Sequence, residues 1–344
     1  MSRLVDTLSW LVNIPSPTGE EAAICDEIES RLGSMESERV LDSLVVGIPG
    51  PGKVILAGHT DTVPLQGETG SRIDGERLHG LGATDMKSGL AVMIHLVEEL
   101  GTDSLVAVFY AGEEGPLAGN QLGPILDRYP DMAKAEAAVV LEPTNLGIEA
   151  GCNGAVNATV AFLGEPAHSS RPWLGVNAVS KSGEFLTTMD RLQPEDHVVN
   201  GLLFREVMSI TRAHGGVANN VVPGRFEMNL NYRFAPDRTL DDAIANLHRV
   251  CSRADVVEIT DAAPAGQPIV DLPLFDELAR VSNSEIAPKQ GWTDVAQLSA
   301  RGIPAINFGP GESALAHKPG ESVRLSDLEW AYGSLLEVLS KIVL

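Results

Sequence analysis

The chain has 344 residues, more than one hydrophobic core usually supports, so two domains are expected. Its 25 basic against 47 acidic residues give a net charge of −22, which argues against a nucleic-acid partner because phosphate binding needs a basic face. The longest apolar runs are too short to span a bilayer, the N-terminus lacks the apolar region of a signal peptide, and three widely spaced cysteines suggest neither a disulfide framework nor a cysteine zinc site, so a cytoplasmic enzyme is expected.

In chain order, Thr18-Gly-Glu-Glu21 has capping-box spacing, and Ile24, Ile28 and Leu32 repeat every four residues, which predicts an amphipathic helix over about 20–32. A strand is expected at 54–57, a largely buried helix at 86–100, and interior strands at 105–111 and 137–141. Together these make an α/β domain whose sheet is covered on both faces. From about residue 151 the pattern changes to strand (155–163), helix (177–192), strand (207–212), strand (225–234), helix (240–253) and strand (256–259). That order, βαββαβ, is the split arrangement of a ferredoxin-like, four-stranded sheet with two helices on one side, inserted into the first domain. A strand at 303–308 and a helix at 325–342 then rejoin the first domain. The expected domains are 1–150 with 263–344, and 151–262.

The candidate chemistry gathers where apolar strands stop. His59, Glu113 and Glu142 each follow such a run, and open α/β sheets place their sites beyond the carboxyl ends of strands. Glu113-Glu114 puts two carboxylates at the end of one apolar strand, an arrangement suited to a buried cation. With His59, Asp61, Asp85, Glu142 and His317 they form a set of oxygen and imidazole donors matched to two divalent ions. His59 is expected on the metal with Asp61 behind it, because a ligating imidazole is usually oriented by a second carboxylate. Asp85 reads either as a helix N-cap or as a bridging carboxylate. Of Glu113 and Glu114, one is expected to ligate while the other moves protons.

The motifs Asn13-Ile-Pro-Ser-Pro-Thr-Gly-Glu20, Gly58-His-Thr-Asp-Thr-Val-Pro64, Gly82-Ala-Thr-Asp-Met-Lys-Ser-Gly89, Gly112-Glu-Glu114, Glu142-Pro-Thr144, Ala167-His-Ser-Ser170, Asn220-Val-Val-Pro223 and His317 resemble the M20 family of metallopeptidases and deacylases, in the family's order over nearly the whole chain. Within that family, Glu149-Ala-Gly-Cys-Asn-Gly154, Arg171-Pro-Trp-Leu-Gly-Val-Asn177, Asn231-Tyr-Arg-Phe-Ala-Pro-Asp237, Gly291-Trp-Thr-Asp294 and Asn307-Phe-Gly-Pro-Gly311 are most similar to actinobacterial succinyl-diaminopimelate desuccinylases. The resemblance implies a zinc-peptidase-like catalytic domain with a mixed sheet and an inserted lid and dimerisation domain. It also implies two metal ions, most often zinc, with cobalt or manganese as alternatives. His59 and Glu142 would hold one ion, Glu114 and His317 the other, and Asp85 would bridge them, leaving Glu113 as general acid and base with Asp61 behind His59. It further implies a homodimer in which His168 reaches the partner's site, and places Asn220 and Arg233 at substrate carboxylates.

Hydrolysis of an amide needs an activated nucleophile, a sink for the oxyanion and a proton for the departing amine. Divalent ions supply the first two, and Glu113 would move the proton. His168 would donate to the oxyanion. A succinylated diamino-dicarboxylate carries three carboxylates, for which Arg171, Arg225 and Arg233 are candidates, Arg233 foremost. The departures from the resembled subfamily are Gln297 where an arginine is frequent, Pro223-Gly224 for Pro-Asp, and Gly320 for an acidic residue; the missing arginine leaves room for a different acyl-amino acid. The other readings are a different M20 hydrolase (an acetylornithine deacetylase, an aminoacylase or a glutamate carboxypeptidase) and a non-catalytic binding protein on the same scaffold.

Overall fold

The computed structural model describes residues 2–64, 67 and 70–343. The chain divides into two compact units, residues 1–151 with 267–288 and 294–344, and residues 152–266 with 289–293. The short return of 289–293 to the second unit is outside the sequence-based boundaries, which left everything after 262 in the first domain.

The first unit begins with the helices α1 (Arg3–Val12) and α2 (Ala22–Arg31) and the strands β1 (Ser37–Val40), β2 (Ser43–Val46), β3 (Val54–His59), β4 (Arg72–Asp74) and β5 (Arg77–His79). It continues through α3 (Lys87–Leu100), β6 (Leu105–Tyr110), α4 (Leu122–Arg128), β7 (Ala137–Val140) and β8 (Ile148–Cys152). Every residue of β3, β6 and β7 is buried, because these are the central parallel strands and have no face turned to water. α3 is buried along most of its length and comes very close to the sheet. Gly89 permits this approach: a Cβ there would lie 2.3 Å from the Leu141 carbonyl oxygen.

The second unit holds β9 (Gly154–Leu163), α5 (Ala178–Lys181), α6 (Gly183–Arg191), β10 (Glu195–Val199), β11 (Leu202–Gly215), β12 (Arg225–Phe234), α7 (Leu240–Val250) and β13 (Val256–Ala263). Its sheet runs β10-β11-β12-β9-β13, antiparallel throughout. Alternate residues of β12 (Met228, Leu230, Tyr232, Phe234) join Phe162, Phe185 and Leu247 in one core under the helices. The expected four strands are five. β10 was missed because Glu195-Asp-His is polar, although Asn200-Gly201 beyond it is a hairpin signal, and both residues adopt the positive φ (49° and 82°) that such turns require.

Back in the first unit come α8 (Pro273–Ser282), β14 (Ile286–Lys289), α9 (Val295–Ser299), β15 (Ala305–Asn307), β16 (Ser322–Arg324) and α10 (Leu325–Val343). The main sheet is mixed and eight-stranded, in the order β1-β2-β6-β3-β7-β15-β8-β14, and β16, β5 and β4 form a small antiparallel sheet. β6, β3, β7 and β15 are mutually parallel, so their carboxyl ends share one edge. No helix among the described residues is long and apolar enough to cross a membrane, and the three cysteines are buried and form no disulfide.

Candidate metal centre

His59 is the last residue of β3 and is 1% exposed. Its Nδ1 lies 3.0 Å from the backbone carbonyl of Asp61, and a carbonyl can only accept, so Nδ1 carries a proton and Nε2 is the nitrogen left to meet an ion. That Nε2 faces Asp85 Oδ1 at 3.2 Å and Glu142 Oε1 at 3.8 Å. His317 Nε2 lies 2.9 Å from Glu114 Oε1 and 3.3 Å from Asp85 Oδ2. Asp85 therefore turns one oxygen to each imidazole. It is not a helix cap: the N-cap of α3 is Met86, and it makes no side-chain capping bond.

Asp61 does more than stand behind His59. Its carboxylate is 3.5 Å from Nδ1, farther than its own carbonyl, and its two oxygens accept the main-chain N–H of Glu113 (3.1 Å) and of Glu114 (3.0 Å). Thr18 donates its hydroxyl to the same carboxylate at 3.0 Å. The expected capping box at Thr18 is thus overturned: α2 starts at Ala22 behind Glu21 with no side-chain cap, because Thr18 is committed to the loop after β3. Asp61 in this way fixes an imidazole through its carbonyl and the Glu-Glu turn through its carboxylate.

Around these groups the field is strongly negative. No lysine or arginine among the described residues ion-pairs with Asp61, Asp85, Glu113 or Glu114. Burial would lower His59, but Asp61, Asp85, Glu142 and Glu113 outweigh it and hold the imidazole well above its usual range. Hydrogen bonds from Asp85 and Glu114 raise His317 to about 10, against the smaller opposing effect of burial. Burial would raise Asp85, yet the two imidazoles keep it well below ordinary carboxylates. Glu113 goes the other way: burial first, then Glu142, Asp294 and Glu114, lift it well above 4.5 despite the pull of His59. A field that favours a proton on each imidazole favours a divalent cation in its place. Atoms of His59, Asp85 and Glu114 lie within 4.8 Å of one another, and the mixed imidazole and carboxylate donors fit zinc-like ions.

Two supporting clusters escaped the sequence. Glu321, 3% exposed, accepts the main-chain N–H of Gly82, Thr84 and Asp85. Asp294, fully buried, accepts from Asn120 Nδ2 at 3.0 and 3.1 Å and from Gln297 Nε2 at 2.7 Å. Gln297, which stands where an arginine is frequent in the resembled subfamily, is therefore turned to an internal carboxylate. A lone glutamate or aspartate in a turn carries no sequence signal of burial.

The remaining candidates lie in the second unit. His168 is exposed and accepts the Ser170 N–H on Nδ1 at 3.1 Å, which leaves Nε2–H free to donate. The strand-like bridge of His168 with Val221 and the bond from Ser169 N to the Asn220 carbonyl bring His168, Arg171 and Asn220 onto neighbouring loops. Arg233 is apart from them: it lines a cavity of about 390 Å3 with Asn153, Leu203, Arg205, Val207 and Gln290. Its guanidinium bonds Asn231, and no carboxylate among the described residues ion-pairs with it. Arg225 is paired with Glu227. Glu195, His197 and Glu206 also approach one another, but Glu206 is already bonded by Arg238 and Tyr232, so the group is an internal ion-pair network.

Comparison with known proteins agrees with this geometry. The chain is 39% identical over 97% of its length to a Mycobacterium tuberculosis protein, itself 97% covered, that carries the provisional name succinyl-diaminopimelate desuccinylase DapE. It is 37% identical to the succinyl-diaminopimelate desuccinylase of Corynebacterium glutamicum, with 96% of this chain and 94% of that one covered. In fold it is similar to a Staphylococcus aureus tripeptidase, with a TM-score of 0.80, 20% identity and 99% and 98% of the two chains covered. The profile of peptidase family M20/M25/M40 matches residues 55–341, and the chain belongs to that family of metal-dependent hydrolases.

Proposed function

We propose that the chain is a two-metal amidohydrolase that removes succinate from N-succinyl-LL-2,6-diaminopimelate, a step towards lysine and cell-wall precursors. The observation that carries this reading is Asp85, whose two oxygens face two different imidazoles, each with a further carboxylate beside it. His59 and Glu142 would hold one ion, His317 and Glu114 the other, and Asp85 would be shared. Zinc suits these donors, with cobalt and manganese as alternatives. The names carried by the two relatives support the substrate.

When bound, such a pair of ions supplies Lewis acidity to the scissile carbonyl and to the attacking water. Glu113 takes the water's proton on a carboxylate whose raised affinity for protons suits it to that task, and returns it to the departing amine. Asp61 holds the turn that aims Glu113, through the main-chain N–H groups of Glu113 and Glu114. His168 donates from Nε2–H to the oxyanion, in a homodimer to the neighbouring protomer's site. Arg233 would receive one substrate carboxylate, and Asn220 and Arg171, which lie apart from it, others. Residues 1–150 and 263–344 would then form the catalytic domain and 151–262 the lid and dimerisation domain, in a cytoplasmic enzyme.

The test is protein stripped with a chelator, reloaded with zinc, and assayed for succinate release from N-succinyl-LL-diaminopimelate beside acetate release from N-acetylornithine. Chelator-sensitive succinate release with up to two zinc per chain is the expected result. A clear preference for acetylornithine would end the desuccinylase reading and keep the hydrolase. Failure to take up zinc, cobalt or manganese would end both.

A further inference from the structure

Asp85 sits in a stretch of irregular turns, yet its two oxygens must be placed accurately between two imidazoles. Neither a strand nor a cap holds it. What grips this segment is Glu321, four residues beyond His317. Glu321 Oε1 accepts the N–H of Thr84 at 2.8 Å and of Asp85 itself at 3.0 Å, and Oε2 accepts that of Gly82 at 3.0 Å. The main chain joins in: Gly80 N–H donates to the Glu321 carbonyl, and the Thr84 hydroxyl to the Ser322 carbonyl at 2.8 Å. Three amides converging on one carboxylate make an anion-receiving concavity, and bonds to a charged acceptor are about twice as strong as neutral ones. Such a buried charge is costly without these donors, so the loop and the carboxylate specify each other.

We propose that Glu321 is a positioning residue of the metal centre, which ties the placement of Asp85 to the segment that carries His317. The proposal rests on reading Asp85 and His317 as metal ligands. Because Asp85 is shared, loosening Glu321 weakens the hold on both ions, whereas loss of one imidazole weakens one. A glutamine at 321 keeps an acceptor for one side of the loop and turns an NH2 towards the other, so its effect is intermediate between glutamate and alanine.

The experiment measures zinc dissociation constants by competition with a chromophoric chelator for wild type, Glu321→Gln and Glu321→Ala. Melting of each zinc-free protein is followed alongside. Expected is a graded loss, roughly 10-fold for Gln and 100-fold for Ala at both ions, as for residues that orient metal ligands elsewhere, with zinc-free Glu321→Gln still folded at the assay temperature though melting below wild type. Unchanged zinc affinity in folded Glu321→Gln would overturn the proposal and leave a structural role. Wild type that takes up no zinc would instead overturn the metal-centre reading. Should both variants fail to fold, amide exchange of zinc-free wild type decides: protected Gly82, Thr84 and Asp85 amides support the clamp, and freely exchanging ones end it.

Discussion

The two imidazoles of the metal centre are held in opposite ways. His59 closes a fully buried strand, gives its main-chain N–H to the Met86 sulfur and its Nδ1–H to a carbonyl, and is 1% exposed. His317 stands in a turn with a left-handed φ of 59°, has a side chain 49% exposed, and its ring meets Glu114 and Asp85. A strand end backed by a covered sheet makes one half of the site rigid, while a strained turn open to water leaves the other half replaceable. If each imidazole holds an ion as proposed, the contrast predicts that ions with similar donors are not held alike, with tighter retention on the His59 side and easier exchange on the His317 side.

Glu113 feels the charges of His59, Glu142 and Glu114, and the largest effect is expected there. Glu113→Gln should lower kcat by about 10²–10⁴-fold while zinc content stays at the wild-type value. Activity near wild type would take Glu113 out of the chemistry and leave the two halves without a shared proton carrier.

The imidazoles themselves come next. His59→Ala should lose the tightly held ion and also cost roughly 1–3 kcal/mol of folding stability, since it strands a buried carbonyl. His317→Ala should lose the looser ion and, in the zinc-free protein at neutral pH, the ion pairs with Asp85 and Glu114, at a smaller stability cost than His59→Ala because the ring is half exposed. Zinc titration and thermal melting of the two variants side by side check this. Equal losses would break the contrast.

The pH dependence sharpens it. Asp85 and Glu114 raise His317 to about 10. The stability which that proton lends the zinc-free fold is therefore complete below the ordinary histidine value of about 6.5 and fades as pH climbs through about 10. Binding an ion must expel the proton, so zinc affinity on this side should rise with pH across the neutral range. Calorimetry in buffers of different ionisation enthalpy should register proton release at pH 7, and its absence would refute the assignment.

The smallest effect is at the support of the rigid half. Thr18→Val removes one hydroxyl from Asp61, and the expected cost is about 1 kcal/mol, with kcat altered little. A large loss of activity would mean that Asp61 relies on Thr18 to aim the Glu-Glu turn.

Much of the α/β architecture was legible in the residues because its elements are local patterns: the apolar runs at 54–57, 105–111 and 137–141 lie on buried strands, and the long helices at 86–100 and 325–342 lie on α3 and α10. The donors stood out through their types, since carboxylates and histidines directly after apolar strands have few other uses. What the sequence by itself determined was the order of elements, the insertion and the chemistry of the donors. Only the tertiary structure decided that Thr18 serves Asp61 rather than a helix, that Gln297 faces Asp294, that Asp85 looks both ways, and that Glu321 grips its loop. Those bonds join residues tens to hundreds of positions apart, or turn on which way a loop points. No local propensity records where a chain will return, so such partners become visible only once packing has brought the segments together.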